Sequence, residues 1–147
     1  MEIREIKDTE LFSLLDLYTQ LHESDSPLPD PAAIQTTWLE IQHNNNIRYF
    51  GVFIEDALIS TCTISVIPNL TRSCRPYGLI ENVVTAKTHR KQGFGRLVLH
   101  AALDFAWQCN CYKVMLMTTR QDEATLRFYE SAGFSRTEKH AFVAKSP

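Results

Sequence analysis

Arg90-Lys91-Gln92-Gly93-Phe94-Gly95-Arg96 joins a β-branched run, Tyr77 to Thr85, to an amphipathic run, Gly93 to Trp107. The first run, rich in Val and Ile, reads as a strand. The second reads as a helix with Phe94, Leu97, Val98, Ala101 and Phe105 as its buried stripe. Glycines at such a strand-to-helix turn let the backbone approach a ligand closely and let N–H groups converge. The helix start adds the positive end of its dipole. Lys87, Arg90, Lys91 and Arg96 surround the turn with no acid between them. The combination forms an anion cradle suited to a pyrophosphate; a tight turn with a solvated basic face is the alternative this segment alone leaves open. The three-glycine dinucleotide fingerprint is absent, and no Gly-Lys-Ser/Thr follows, so neither a dinucleotide site nor a Walker loop is indicated.

Working outward, Tyr112 to Thr119 reads as a further strand. The step from strand 77–85 through the helix to strand 112–119 is a crossover, which makes those two strands parallel. Asp122 caps a helix that stops at Gly133. Phe134 and Ala141-Phe142-Val143-Ala144 suggest two last strands. Upstream, Ile3 and Ile6 mark an edge strand, and Asp8 is the expected cap of a helix carrying Leu11, Leu14, Leu15, Tyr18 and Leu21. A proline-rich loop, Ser24 to Pro31, leads into a second helix with Pro31 at its first position. Ile34, Trp38 and Ile41 form that helix's apolar stripe. Ile47 to Ile54 and Leu58 to Ile67 read as a hairpin turning at Glu55-Asp56-Ala57. The order predicts an α/β (α+β) fold: a mixed sheet of about six or seven strands flanked by about four helices. With no repeat, low-complexity segment or linker, 1–147 reads as a single domain.

Length and composition set the outer limits. A chain of 147 residues, 44% apolar and 22% charged, is long enough for one domain with its own core. A net charge of −2 argues against a general nucleic-acid or anionic-membrane binder. No stretch is apolar for long enough to span a bilayer. The N-terminus is charged from Glu2 onward without a signal-peptide core, so a cytoplasmic location is expected. Cys62, Cys74, Cys109 and Cys111 read as free thiols. The scattered His22, His43, His89, His100 and His140 offer no ligand spacing, so no metal is expected.

The sequence Asp122-Glu123-Ala124-Thr125-Leu126-Arg127-Phe128-Tyr129-Glu130-Ser131-Ala132-Gly133-Phe134 supplies the second motif. An Arg-x-x-Gly-x-Gly turn, a strand, then a helix bearing Phe-Tyr-Glu-x-x-Gly-Phe resembles the GNAT superfamily of N-acetyltransferases. The motifs span about 55 residues, and the order of predicted elements extends the likeness over the chain. The resemblance implies a sheet splayed between strands 77–85 and 112–119, with the pantetheine of acetyl-CoA entering that opening. Val83, Val84 and Thr85 would then face pantetheine and thioester, and Arg90, Lys91, Gln92, Gly93, Phe94, Gly95 and Arg96 would hold the pyrophosphate. Family members often carry Asn where this chain has Asp122, a carboxylate that accepts hydrogen bonds when ionised. The first two helices would form the acceptor side, and a homodimer would be in keeping with the family.

Tyr129 matches the tyrosine that lies near the cofactor sulfur in many members, where a phenol can protonate the departing thiolate; the alternative is a half-buried core aromatic. Glu81, by strict alternation on the face of Leu79, Val83 and Thr85, is the candidate base that takes a proton from the incoming amine. A carboxylate among apolar neighbours needs a partner or a task, so the alternative is a structural ion pair. Leu79-Ile80-Glu81-Asn82-Val83-Val84 also resembles the Ile-Glu-Asp stretch of glucosamine-6-phosphate N-acetyltransferases. Arg72, Arg75 and Tyr77 precede this strand and are candidates for binding an anionic acceptor. The expected activity is acetyl transfer from acetyl-CoA to a primary amine of a small molecule. Two other readings remain open: a protein lysine or N-terminus as acceptor, and an acyl-CoA sensor without turnover.

Overall fold

The computed structural model describes residues 1–22 and 24–147. Its sheet has five strands in the order β1-β2-β3-β4-β5. β1 (Glu2–Glu5), β2 (Ile47–Ile54), β3 (Ala57–Ile67) and β4 (Tyr77–Thr85) form an antiparallel run, and β5 (Val114–Leu116) joins β4 in parallel. α1 (Leu11–Tyr18) and α2 (Pro31–His43) cover one face around Ile6, Leu14, Trp38 and Phe53. α3 (Phe94–Gln108) covers the other, packing Val98 and Leu99 over Val52, Cys62, Ile64 and Ile80. α4 (Glu123–Ser131) leans against α3 beside β5. Among the described residues no helix is long and apolar enough to cross a membrane.

Local chemistry explains the boundaries, and in places corrects the sequence reading. Pro31 opens α2, and Asp30 Oδ1 accepts the Ala33 N–H at 3.0 Å. Asp8 does not cap α1; it sits in a 3₁₀ turn, Asp8–Glu10, closed by Glu10 accepting the Lys7 N–H at 2.7 Å. Arg4 holds Glu10 through two nitrogens at 2.8 and 2.7 Å and lies over the Phe53 ring. The β2–β3 hairpin turns through Glu55 and Asp56, both at positive φ, which matches the twist of the strands. Thr71–Cys74 is a left-handed turn, with φ of 55° at Arg72 and 58° at Ser73.

Among the described residues the sheet has five strands rather than six or seven. The Phe134 N–H is taken by the Tyr129 carbonyl at 3.2 Å, and the Gly133 N–H by Glu130 at 2.9 Å. This pair of bonds, with Gly133 at φ 98°, ends α4 as a Schellman motif and removes Phe134 from any ladder. Among the described residues Ala141–Ala144 meets no strand, and Phe142 is 94% exposed. β-Forming composition cannot make a strand without a partner edge.

The feature that shapes the site is a bulge in β4. Thr63 pairs with Glu81 and Thr61 with Val84, so Cys62 alone spans Asn82 and Val83. Asn82 takes φ of 54°, a left-handed conformation that Asn tolerates better than most residues. The extra residue reverses the phase of the strand. Before it, Ile80 lies on the α3 face opposite Ile64, and Glu81 lies on the α1 face opposite Thr63. After it, Val83 packs toward α3, and Thr85 meets Ser60 at 2.8 Å on that same face. Glu81 is therefore not on the face of Val83 and Thr85, as simple alternation expects. It is exposed, so the cost of a carboxylate among apolar neighbours does not arise.

β5 pairs with β4 only from Gly78–Val114 to Ile80–Leu116. The strands part beyond Ile80, sooner than a ladder over 112–119 would allow, because the bulge turns the edge of β4 away from Met117–Thr119. Asn82→Val should lower stability by about 1–3 kcal/mol, the scale of a strained backbone residue, because a β-branched side chain resists positive φ. Asn82→Gly should stay within about 0.5 kcal/mol of wild type. Urea unfolding of the two variants checks this; equal stability would remove the bulge as a conformational constraint.

Candidate active site

The parting of β4 and β5 opens a cavity of about 790 Å³. One wall is β4 from Ile80 to Thr85, and another is Leu116 to Arg120 with α4 residues including Phe128 and Tyr129. The floor runs into the turn before α3, and Gln20, Leu21 and His22 approach from the end of α1. Glu81, Val83, Val84, Thr85, Arg90, Lys91, Gly93, Phe94, Gly95, Arg96, Asp122 and Tyr129, singled out in the sequence, all line this one space.

The turn has cradle geometry. Lys91 at φ 61° and Gly93 at φ 89° carry the chain through left-handed conformations into α3. The first intrahelical bonds run from Arg96 and Leu97 to the Gly93 carbonyl, both at 3.1 Å. The N–H groups of Gly93, Phe94 and Gly95 have no protein acceptor among the described residues, leaving donors for an anion. The two glycines serve different needs. A Cβ on Gly93 would meet nothing within 4 Å, so its demand is conformational and the space above it is open. A Cβ on Gly95 would lie 2.9 Å from Phe128 Cζ and 3.3 Å from Thr85 Oγ1, so Gly95 lets α3 approach α4 and β4.

The basic groups at the turn differ in how far the protein already engages them. Arg90 donates from Nε to the Thr85 carbonyl at 3.1 Å and from Nη2 to the Gln20 carbonyl at 3.3 Å. Gln92 lies outside the cavity wall, its Nε2 donating to the Thr88 carbonyl at 3.3 Å. Lys91 and Arg96 form no ion pair among the described residues. Asp122 caps α4: Oδ1 accepts the Thr125 N–H at 2.9 Å and Oδ2 the Thr125 hydroxyl at 2.9 Å. Those two bonds hold its carboxyl below the usual range.

Tyr129 is half-buried, with its ring 4.9 Å from Phe128 and 6.5 Å from Phe134. Burial pushes its phenol upward; the charge of Arg120 opposes the rise, and Cys62 and Glu81 add to it. The hydroxyl therefore keeps its proton at neutral pH, as a proton donor must. On the α1 face Tyr18 lies 3.5 Å from the Thr63 hydroxyl, and burial raises its phenol too.

Arg72, Arg75 and Tyr77 do not line the cavity; they lie at the far end of β4. Arg75 staples the loop before β5 through the carbonyls of Asn110 and Cys111 at 3.2 and 3.0 Å. Arg72 stands over Tyr112, and Lys113 over Tyr77. The expected contribution of these three to an acceptor pocket is corrected accordingly. Sequence reasoning missed Arg120, which lines the cavity without an ion pair among the described residues. Its position just past strand 112–119, at the end where the two strands part, was the available signal. It also missed Gln20, Leu21 and His22, which only the tertiary fold brings to the site.

The Acetyltransferase (GNAT) family model matches residues 11–134. The chain is 26% identical over 139 residues to the glucosamine 6-phosphate N-acetyltransferase of Trypanosoma brucei brucei, covering 95% of this chain and 92% of that protein. Among solved structures, a putative acetyltransferase from Agrobacterium tumefaciens str. C58 is 36% identical with a TM-score of 0.90, covering 99% of this chain and 100% of that one. AAC(6')-Iy in complex with the bisubstrate analog CoA-S-monomethyl-acetylneamine shares the fold at 19% identity and a TM-score of 0.79, covering 99% and 98% of the two chains.

Gly95→Ala should lower stability by about 1–3 kcal/mol through overpacking. Gly95→Ala with Phe128→Leu should recover part of that loss, because the shorter side chain withdraws the Cζ that the new methyl meets. Thermal unfolding of both proteins is the check; a single variant as stable as wild type would show that α3 and α4 have room to spare.

Proposed function

The chain belongs to the Acetyltransferase (GNAT) family, and from that premise we propose that it transfers acetyl from acetyl-CoA to a primary amine of a small molecule, acting as one domain over residues 1–147. The family uses acetyl-CoA, and the residues present fit it: free N–H groups, open space over Gly93 and the cations Lys91 and Arg96 suit a pyrophosphate. The observation that carries the reading is one continuous cavity joining that cradle to Glu81 and Tyr129. The Phe94 and Gly95 N–H groups would bind the phosphates, and the β4 backbone from Glu81 to Val84, unpaired on its β5 side, would align pantetheine.

When bound, acetyl-CoA supplies a thioester carbonyl for the amine to attack. An amine arrives mostly protonated and must lose a proton first. Glu81, an exposed carboxylate in the cavity wall on the α1 face, takes that proton directly or through water. Tyr129, kept neutral by burial, returns a proton to the sulfur as it leaves. Arg120 stands in this wall near Tyr129 and Asp122, and takes over the anion-binding role that Arg72 and Arg75 are too distant to serve. It favours an amine that also carries a phosphate or carboxylate. The name of the trypanosomal relative, an enzyme of glucosamine 6-phosphate, supports that direction.

A panel of amines assayed for thiol release from acetyl-CoA tests the activity; no release with any amine, alongside tight coenzyme A binding, would make the protein a sensor instead. Tyr129→Phe should lower kcat by about a hundredfold, the low end for a general acid, with cofactor affinity unchanged. Glu81→Gln should lower kcat at neutral pH and recover as pH rises, since a neutral amine needs no base. Wild-type turnover in either variant would remove that residue from the chemistry. Arg120→Ala should lower the preference for glucosamine 6-phosphate over glucosamine, in kcat/KM, by about tenfold or more, the scale of a charge-assisted hydrogen bond. An unchanged ratio would mean that Arg120 does not read the acceptor.

A further inference from the structure

Two hydrogen bonds tie the segment just past α1 to the turn that precedes α3. Gln20 lies two residues past the end of α1. Its Oε1 accepts the backbone N–H of Lys87 at 2.8 Å, satisfying a free donor at the start of the 3₁₀ turn Lys87–His89. Its carbonyl accepts Arg90 Nη2 at 3.3 Å, and Arg90 Nε also holds the Thr85 carbonyl at 3.1 Å. One residue thus accepts from both Lys87 and Arg90 in the segment leading into the cradle, across sequence separations of 67 and 70. Leu21 and His22 follow it directly and form cavity wall. They lie past the end of α1, the helix packed over the face that carries Glu81.

We propose that Gln20 is a positioning residue that locks the acceptor-side wall to the cofactor turn, so that filling the cradle orders Leu21 and His22. This rests on the reading of the cavity as an acetyl-CoA site. The guanidinium of Arg90 has five N–H donors, of which the protein engages Nε and one on Nη2. A phosphate beside the turn takes up others and fixes the group, which strengthens its hold on the Gln20 carbonyl. The coupling is reciprocal: a wall ordered by the acceptor also favours the cofactor-binding form of the turn. Gln20 touches no reacting atom. Its effect runs through Lys87 and Arg90.

Hydrogen exchange of the full chain, with and without coenzyme A, reads this without an acceptor. In wild type, coenzyme A should slow exchange across 83–96 and also at Leu21 and His22, the latter by about fivefold or more, the lower end of site-to-site coupling. In Gln20→Ala, which removes the Lys87 bond and keeps the Arg90 bond to the backbone carbonyl, the slowing at 83–96 should persist while that at Leu21 and His22 weakens. Gln20→Glu keeps an acceptor for the Lys87 N–H and should restore it. Slowing at 83–96 without any at Leu21 and His22 in wild type overturns the coupling and leaves the cofactor site standing. So does full retention of the effect in Gln20→Ala. No slowing at 83–96 in wild type overturns the cofactor reading and the coupling with it.

Discussion

One inserted residue in β4 sets the geometry on which the site depends. Asn82, at φ of 54°, lengthens that strand by a residue against β3 between Thr61 and Thr63. The insertion has three consequences. The edge of β4 turns from β5, so the ladder ends at Ile80 and a cleft opens. The phase reverses, so Glu81 projects toward α1 while Val83 and Thr85 project toward α3. Backbone groups of β4 on the cleft side are released from pairing just where a linear polar ligand would run. A regular strand would keep Glu81, Val83 and Thr85 on one face of the sheet.

The second constraint is the close approach of α3 to its neighbours. Gly95 leaves the Phe128 ring and Thr85 in near contact with the α3 backbone. That contact brings α4 to the cleft and carries Tyr129 with it. The Schellman closure at Gly133 and the Asp122 cap then fix both ends of a helix nine residues long. A short helix has little cooperativity of its own, so its caps and its packing on α3 hold Tyr129 in place. Glu123 adds an ion-pair network with Arg127 and Arg136; these partners hold its carboxyl down to about 2. Arg136 in turn pairs with Glu130 at 2.8 Å, tying the chain after Gly133 back to the helix.

Much of this was legible in the sequence because it is locally encoded. The hairpin strands, β4, the Pro31 start of α2 and the Asp122 and Gly133 caps each carry their signal within a few residues. So do Gly93 and Gly95, although spacing could not tell the conformational glycine from the packing one. What escaped depends on partners distant in the chain. A bulge is a mismatch between two strands, so alternation within β4 alone put Glu81 on the wrong face. Arg72 and Arg75 looked available because the carbonyls of Asn110 and Cys111 that engage Arg75 lie 35 and 36 residues away. Gln20 carries no motif at all. The run Ala141–Ala144 has strand composition, yet it pairs with no edge among the described residues.

In the function proposed, acetyl-CoA occupies the gap between β4 and β5, continuous with the Gly93–Gly95 turn. The most direct measurement is a crystal structure of the protein with coenzyme A. Pyrophosphate should lie on the Phe94 and Gly95 N–H groups, pantetheine against the β4 backbone from Glu81 to Val84, and the sulfur within hydrogen-bond reach of the Tyr129 hydroxyl. Coenzyme A bound elsewhere, or β4 and β5 closed into a continuous ladder past Ile80 in the complex, would contradict it.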